Sequence, residues 1–319
     1  MGEGRNIAIL AGGFSSEREV SLKSGEAVER GLAKAGYHTT LVDVRGPEIP
    51  ELALPFDAAF IALHGKFGED GTLQEMLDAA HLPYTGCGPQ ASRLAMDKIL
   101  SKEAFQAHHV STAPYLVVHK ADEPDVVLAR ATALGWPLVV KPPAEGSSVG
   151  VTIARDPAEF AGGVDLVFKN SDVALVEKYI KGRELTVGIL GCAALPIVEV
   201  VPAREFYDYT AKYESNGTQY VTEVDLPSQL KDRAQIAALE AFKALGCRDM
   251  ARVDLILDEK GHVYVLEVNT IPGFTEKSLL PKAAATAGIS FEALCDRIIR
   301  FALSRASAVH STSGNSVQS

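Results

Sequence analysis

The sequence predicts an α/β protein, and three observations carry that prediction. Apolar runs of strand length alternate with helical periodicity from Asn6 onward. Glycine-bearing turns, GGFSS and HGKFGEDGT, follow strand-like runs and lead into helical stretches. Hydrophobic residues make up 47% of the 319 residues and charged residues 23%, an ordinary globular balance. The length suits about two domains.

The first strand is NIAILA, from Asn6 to Ala11. After GGFSS a helix runs to about Leu32, with Ser16 and Glu19 spaced as a capping box and Gly36 fitting its end. TTLVDV and AAFIAL follow as strands, then the helix QEMLDAAH and the short segment LPYTG. This alternation predicts an open, mainly parallel sheet. A second unit begins near Met96. It holds a helix around DKILSKEAFQ, the strand YLVV, the helix VVLARATAL and the strand PLVVK. VGVTIA, the helix AEFAGGVDLVF and the strand ALVEKYI complete it, and Gly182 marks a break. The third unit has the strands LTVGIL and LPIVEVV, then an irregular stretch from Pro202 to Leu226.

A helix from Ser228 to Leu245 carries Leu230, Ala234, Ala238, Ala241 and Leu245 on one stripe, and Gly246 stops it. ARVDLIL and HVYVLEV pair around the turn DEKG. The last helix, after Ser290, places Leu294, Cys295, Ile298, Ile299 and Ala302 on one face. From Ser304 periodicity ends, and the Ser-rich tail is expected to be disordered. The expected units are residues 1–95, 96–181 and 182–305, with a tail over 306–319.

The formal charge of −10 gives no general attraction to nucleic acid or an anionic membrane. Cys87, Cys192, Cys247 and Cys295 are widely spaced, with no Cys-x-x-Cys pair, so free thiols are expected rather than zinc or a disulfide framework. No apolar run reaches membrane-spanning length. The start, MGEGRNIAILAGG, has no signal-peptide pattern, so a cytoplasmic enzyme is expected.

RVDLILDEKGHVYVLEVNTIPG, from Arg252 to Gly273, is the most informative stretch. Alternation puts Arg252 and Asp254 on one strand face, and Glu267 and Asn269 on one face of the next. A four-residue turn would pair Leu257 with His262, and so Arg252 with Glu267, making the polar faces coincide. Two carboxylates and an amide oxygen suit a hard cation such as Mg²⁺ or Mn²⁺. The competing reading is a solvated outer face.

VKPPAEGSSVGV, from Val140 to Val151, has the ingredients of a phosphate site, but its lysine precedes the glycines and so departs from the P-loop order. Lys141 ends an apolar strand, and the turn's backbone N–H groups, with Ser147 and Ser148, can cradle an anion. GCGPQA matches a dinucleotide fingerprint but lies far from the first strand–helix turn, so it reads as a helix entry. AREFYDYTAKYESNGTQY holds four tyrosines around Lys212, as a surface loop or an active-site lid. Glu17 opens a helix after the first turn, and His64 sits just past the third strand, where open sheets place ligands.

Taken together these motifs resemble the D-alanine–D-alanine ligases of the ATP-grasp superfamily. The resemblance runs from GGFSSEREVSLKSG through HGKFGEDGTLQ, YTGCG, MDK, VKPPAEGSSVGV, EKYIKGRELTV, FYDYTAKY and RVD to EVNTIPGFTEKSLLP. It implies an ATP-grasp fold of three α/β subdomains, an N-terminal open parallel sheet followed by two ATP-grasp subdomains, with ATP between the second and third. Lys98 and Lys141 resemble the phosphate-contacting lysines. Glu145, Gly146, Ser147 and Ser148 resemble the loop that covers the phosphates. Glu177, Lys178 and Ile180 lie on the adenine strand, Glu184 resembles the ribose ligand, and Lys212 a lid lysine reaching the terminal phosphate. Asp254, Glu267 and Asn269 resemble ligands to two Mg²⁺ or Mn²⁺ ions, with Glu267 bridging.

The implied reaction passes through a D-alanyl phosphate to D-alanyl-D-alanine, for peptidoglycan precursors. Glu17 resembles the residue binding the first amine, His64 another first-site residue, and Arg252 and the Gly273 N–H the oxyanion donors. Ser278 and Leu279 resemble the binders of the second carboxylate. Tyr213, linked in the family to Glu17 and Ser147, favours an amine as second nucleophile over D-lactate. Phe14 and Ile271 depart from the usual pattern without replacing a chemical group. A cytoplasmic homodimer is the implied assembly. The alternatives are a D-Ala–D-Ser or D-Ala–D-Lac ligase, or an inactive nucleotide-binding regulator.

Overall fold

The computed structural model describes residues 4–49, 52, 54–144, 150–201 and 217–313, and folds them around three sheets. In the first, β1 (Asn6–Gly12) lies between β2 (His38–Val44) and β3 (Ala58–Ile61), parallel to both. Ile7 and Ile9 pack on the side of α1 (Arg18–Lys34), while Ala8 and Leu10 pack on the side of α2 (Thr72–Ala79). Both faces are covered, which is why NIAILA is apolar throughout rather than alternating. Gly25 brings α1 against β1, since an added Cβ there would stand 2.5 Å from the Ala11 methyl.

The capping box expected from Ser16 and Glu19 does not form. The helix starts at Arg18 with Glu17 as its cap residue, and no side chain caps it. Ser15 does the local work instead: its Oγ accepts from the Glu17 N–H at 3.2 Å and donates to the His64 carbonyl at 3.1 Å. GCGPQA is a helix entry, with Gly88 preceding Pro89 at the start of α3 (Pro89–Met96).

Asp97 opens α4 (Lys98–Ala107), its carboxylate accepting from the N–H groups of Ile99 and Leu100. The second sheet contains β4 (Tyr115–His119), β5 (Leu138–Lys141), β6 (Thr152–Ala154) and β7 (Val173–Lys178), in the order β4-β7-β5-β6. Because β7 inserts between β4 and β5, every ladder there is antiparallel despite the strand–helix alternation. Val118, Val140 and Val176 meet α5 (Pro124–Leu134) and α6 (Pro157–Val167) on one face. Lys141 and Glu177 lie on the other. The preceding helix α4 belongs elsewhere: its Phe105 joins the core of the third sheet.

That third sheet is antiparallel, in the order β10-β9-β8-β11-β12. Its strands are β8 (Gly182–Leu190), β9 (Ala193–Val201), β10 (Gln219–Val221), β11 (Met250–Asp258) and β12 (Val263–Asn269). Gly182, expected as a break, opens β8; an added Cβ would meet the Leu257 carbonyl oxygen at 2.2 Å. The Ala-rich stripe of α7 (Ser228–Ala244) covers one face, and α8 (Leu279–Thr286) lies against the other.

The last helix, α9 (Phe291–Ser313), buries Leu294, Cys295, Ile298, Ile299 and Ala302 completely. Helix runs past Ser304 to Ser313, and the rest of the expected tail lies outside the described residues. Arg305 explains the extension. It grips the Asp249 carboxylate with two hydrogen bonds and donates to the Tyr84 carbonyl at 2.6 Å, and an anchored turn lets helix propagate.

Candidate active site

The site is built on the β11–β12 hairpin, and a bulge determines which side chains share a face. The expected register paired Arg252 with Glu267, but the observed pairs are Arg252 with Asn269 and Asp254 with Glu267. Two local features cause the difference. The loop closes over Glu259–Gly261, with the Asp258 N–H donating to the His262 carbonyl and Gly261 at φ +81°, so Leu257 faces Val263. The ladder then shifts between Asp254 and Leu255, leaving Leu266 without a partner in register. Had the first register continued, Glu267 would have met Val253 on the other face. The extra residue returns Glu267 and Asn269 to the face of Arg252 and Asp254.

Four donors converge on Asp254. Arg252 gives two hydrogen bonds, from Nε at 2.9 Å and Nη2 at 2.7 Å, Thr186 gives one at 2.7 Å, and Asn269 Nδ2 one at 3.0 Å. Lys98 Nζ stands 3.4 Å from Glu267. Among the described residues no three His, Cys, Asp or Glu side chains cluster as a metal site. The candidate set is instead Asp254 and Glu267, directly opposed across the strands, with the Asn269 amide two pairs along, the next on the same face. All its ligating atoms are oxygens, which fits Mg²⁺ or Mn²⁺ and excludes a thiolate-type zinc centre.

A cavity of 330 Å³ adjoins this face, lined by Glu17, His64, Lys98, Arg252, Glu267 and Asn269. Gly273, Ser278 and Leu279 line it too, so the residues expected at both amino-acid positions meet there. Ser278 is the cap residue of α8 and Leu279 its first helical residue, and the N-terminal end of a helix favours a carboxylate. Gly65 lies against Glu17: a Cβ on it would stand 2.8 Å from Glu17 Oε2, and its φ of +75° favours glycine.

His64 has a second task. Its Nδ1 donates to the Ile271 carbonyl at 3.0 Å, so a neutral ring leaves Nε2 to accept from Ser24 Oγ, also at 3.0 Å. Ser24 Oγ in turn accepts from the Phe274 N–H at 3.2 Å. The loop carrying Gly273 is thereby held from both sides. Ser24 was missed in the sequence, although a serine pair, Ser21 and Ser24, on the buried stripe of α1 is a signal of polar work there.

Of the residues expected on the nucleotide side, Lys98 lines that cavity, while Lys141, Glu177, Lys178, Ile180 and Glu184 do not. The Lys98 N–H donates to the Pro143 carbonyl at 2.9 Å, which brings the start of α4 beside the turn after Lys141. Lys141 Nζ donates to Glu177 Oε2 at 2.9 Å. A further lysine, Lys102, places its ammonium 2.9 Å from Glu177 Oε1; that contact is an ion pair, since its hydrogen bonds go to Thr112 Oγ1 and the Ala113 carbonyl. Burial raises the Glu177 pKa, but Lys141 and then Lys102 outweigh it and hold the carboxyl below its usual value. Lys102 was missed too, and its position one turn after Lys98 was the available signal.

The Lys178 ammonium is committed to the Gly135 and Trp136 carbonyls at 2.7 and 3.2 Å, so only its backbone is left for a base; Ile180 lies two residues past the end of β7. Glu184 shares the Thr186 face of β8, and burial, with the Asp254 charge, pushes its carboxyl up to about 7. Glu145, Gly146, Ser147, Ser148, Lys212 and Tyr213 lie outside the described residues.

A parallel substrate-side unit and two antiparallel units, with lysines and an all-oxygen donor set between them, define an ATP-grasp ligase. Family models described as D-ala D-ala ligase N-terminus and C-terminus match residues 43–87 and 104–300. The D-alanine–D-alanine ligase of Geobacter sulfurreducens is 46% identical over 296 residues, covering 92% of each chain. A crystal structure of the D-alanine–D-alanine ligase from Bacillus anthracis complexed with ATP superposes with a TM-score of 0.84 at 35% identity, over 96% of this chain and 100% of that one. The VanG D-Ala:D-Ser ligase from Enterococcus faecalis gives 0.83 at 27% identity, over 93% and 99%. The chain belongs to the D-alanine–D-alanine ligase family.

Proposed function

We propose that this chain joins two D-alanine molecules at the expense of ATP, with the named residues in the roles their positions support. One observation carries the reading: the cavity that holds Glu17 and His64 is continuous with the Arg252–Asp254–Glu267–Asn269 face and with the start of α8. An amine site, a phosphoryl-transfer site and a second carboxylate site thus share one space.

In the first step a carboxylate oxygen of the first D-alanine attacks the terminal phosphorus of ATP. The new P–O bond forms as the bond to ADP breaks, and ADP leaves. Glu17 holds the ammonium of that D-alanine, while Lys98 and Lys141 neutralise phosphate charge. In the second step the free amine of the second D-alanine attacks the acyl carbon. Arg252 and the Gly273 N–H stabilise the oxyanion of the tetrahedral intermediate. The C–O bond to phosphate breaks, and phosphate departs with the proton that the amine gives up. Ser278 and Leu279 hold the second carboxylate. Positioning and charge neutralisation do most of the work.

Asp254, Glu267 and Asn269 would hold Mg²⁺ or Mn²⁺, which neutralises phosphate charge when bound. Asn269 turns Nδ2 to Asp254 here, and its amide turned over presents Oδ1 to a cation. Glu184 is assigned to the ribose and the Glu177–Ile180 backbone to adenine. The assembly proposed is a homodimer in the cytoplasm; among the described residues no helix is long and apolar enough to cross a membrane.

The test is product formation by purified protein given ATP, Mg²⁺ and D-alanine, with D-serine or D-lactate as competing second substrates. D-Alanyl-D-alanine should form fastest, with one ADP per dipeptide. Faster formation of a mixed product would reassign the second site. Glu267→Gln should lower turnover at least about 10²-fold, and phosphate release that persisted in it would remove the metal assignment.

A further inference from the structure

Lys102 has no part in the reaction described above, yet it is among the most costly residues in the protein to bury. Its side chain is 0% exposed. Burial pulls its pKa down, because a charged ammonium loses its hydration there. A cation is kept in such a place where an anion requires it, and that anion is Glu177, itself 3% exposed. Glu177 thus has two ammonium partners, each 2.9 Å away on a different oxygen.

The partners differ in freedom. Lys102 is tied further to Thr112 Oγ1 at 2.6 Å, and Thr112 donates onward to the Val265 carbonyl at 2.8 Å. Lys141 ends β5, is 11% exposed, and has Glu177 as its acceptor.

We propose that Lys102 is the standing counter-ion of Glu177, and that it frees Lys141 to turn from Glu177 to the phosphates of the nucleotide. This rests on the reading of Lys141 as a phosphate ligand. With one lysine alone, an arriving phosphate would strip a buried carboxylate of its only cation, and an unpaired buried charge is strongly unfavourable. With Lys102 in place, Glu177 stays paired whichever way Lys141 points. Lys102 touches no substrate, so it is a positioning residue.

The experiment is ATP affinity by calorimetry on the full chain with Mg²⁺, alongside steady-state kinetics. Lys102→Met should weaken ATP binding about tenfold or more, the factor that 1.4 kcal/mol corresponds to, with the D-alanine KM at saturating ATP unchanged. Glu177→Gln alone sets the ATP affinity against which the double variant is read. The double variant Lys102→Met with Glu177→Gln should recover the lost affinity, a rescue that a merely structural role would not give. Should Lys102→Met fail to fold, Lys102→Gln keeps a donor for Thr112 and carries the same expectation. Unchanged ATP affinity on neutralising Lys102, or no recovery in the double variant, overturns the proposal. Lys141→Met separates the two readings. If it weakens ATP binding while Lys102→Met does not, the counter-ion role alone falls. If it leaves ATP binding unaltered, the phosphate-ligand reading falls and takes the proposal with it.

Discussion

Single side chains decide whether the reacting groups are held or merely present. Ser24 takes the Phe274 N–H and serves His64, which takes the Ile271 carbonyl, and Gly273 lies between those two anchor points. Ser24→Ala is expected to loosen the donor without removing it. Loss of a whole oxyanion donor costs about 10²–10³ in kcat, so a fall of about tenfold is expected here, with the ATP KM unmoved. Unchanged kcat in that variant would show that the loop is held by other means. Glu177 gives a pH prediction of definite sign. Its folded pKa lies below 4.5, so the unfolded chain binds the proton first as pH falls. The stability it contributes is complete above 4.5 and disappears as pH drops through the folded value. Glu177→Gln should be less stable than the wild type at pH 7, by roughly 3 kcal/mol, and the gap should shrink in acid. A gap that widens on acidification would reverse the sign. The spacing of Ser24 and Lys102 hinted at polar work, but their partners were not legible in the sequence, because they come from elements distant in the chain.

At the level of the element, the hairpin separates what local sequence shows from what it does not. The spacings Arg-x-Asp and Glu-x-Asn placed each pair on one strand face, since side-chain alternation is a property of the strand itself. The cross-strand register was misread, because loop length and an unpaired Leu266 fix it, and no residue type marks them. The polar faces coincided in both registers, so the four side chains were placed on one face with their pairing wrong. The capping box failed similarly: Ser15, one residue earlier, met the His64 carbonyl, a contact local sequence does not contain. The bulge account has a paired test. Deleting Leu266 removes the extra residue, restores a regular ladder and keeps Glu267 opposite Asp254, so Mg²⁺-dependent ADP release should survive. Inserting one alanine after Leu266 moves Glu267 towards the Val253 face and should cut that release at least about 10²-fold. Circular dichroism would establish that both variants fold, and equal losses in the two would discard the account.

Across the whole molecule, the proposed reaction space is shared between units that the linear sequence separates. Glu17 and His64 come from the first unit, and Arg252, Gly273 and Ser278 from the last. Their relative placement depends on what ties those units together. One tie is apolar: Ile7, Ile9 and Phe60 share a continuous core with Leu195, Met250 and the inner face of α9. The other is polar and centres on Asp249, which keeps an unusual φ of +63°. It accepts from the Gly86 N–H at 2.9 Å and from Arg305 Nη1 at 2.5 Å, while Arg305 also reaches the Tyr84 carbonyl. Three chain segments meet on one carboxylate that is 4% exposed. Arg305→Met removes both of its hydrogen bonds to that carboxylate and leaves the one from the Gly86 N–H. The cost should fall short of the 3–5 kcal/mol of a fully buried pair, since Arg305 keeps part of its surface in water; about 2 kcal/mol is expected. The kinetic consequence is selective. Loosening this tie shifts Glu17 and His64 relative to Arg252 but leaves Lys98, Lys141 and Glu177 in place. The KM for D-alanine should therefore rise several-fold more than the KM for ATP, alongside a lower melting temperature. Equal changes in the two constants would mean that the units stay aligned without Arg305, and that the apolar core suffices.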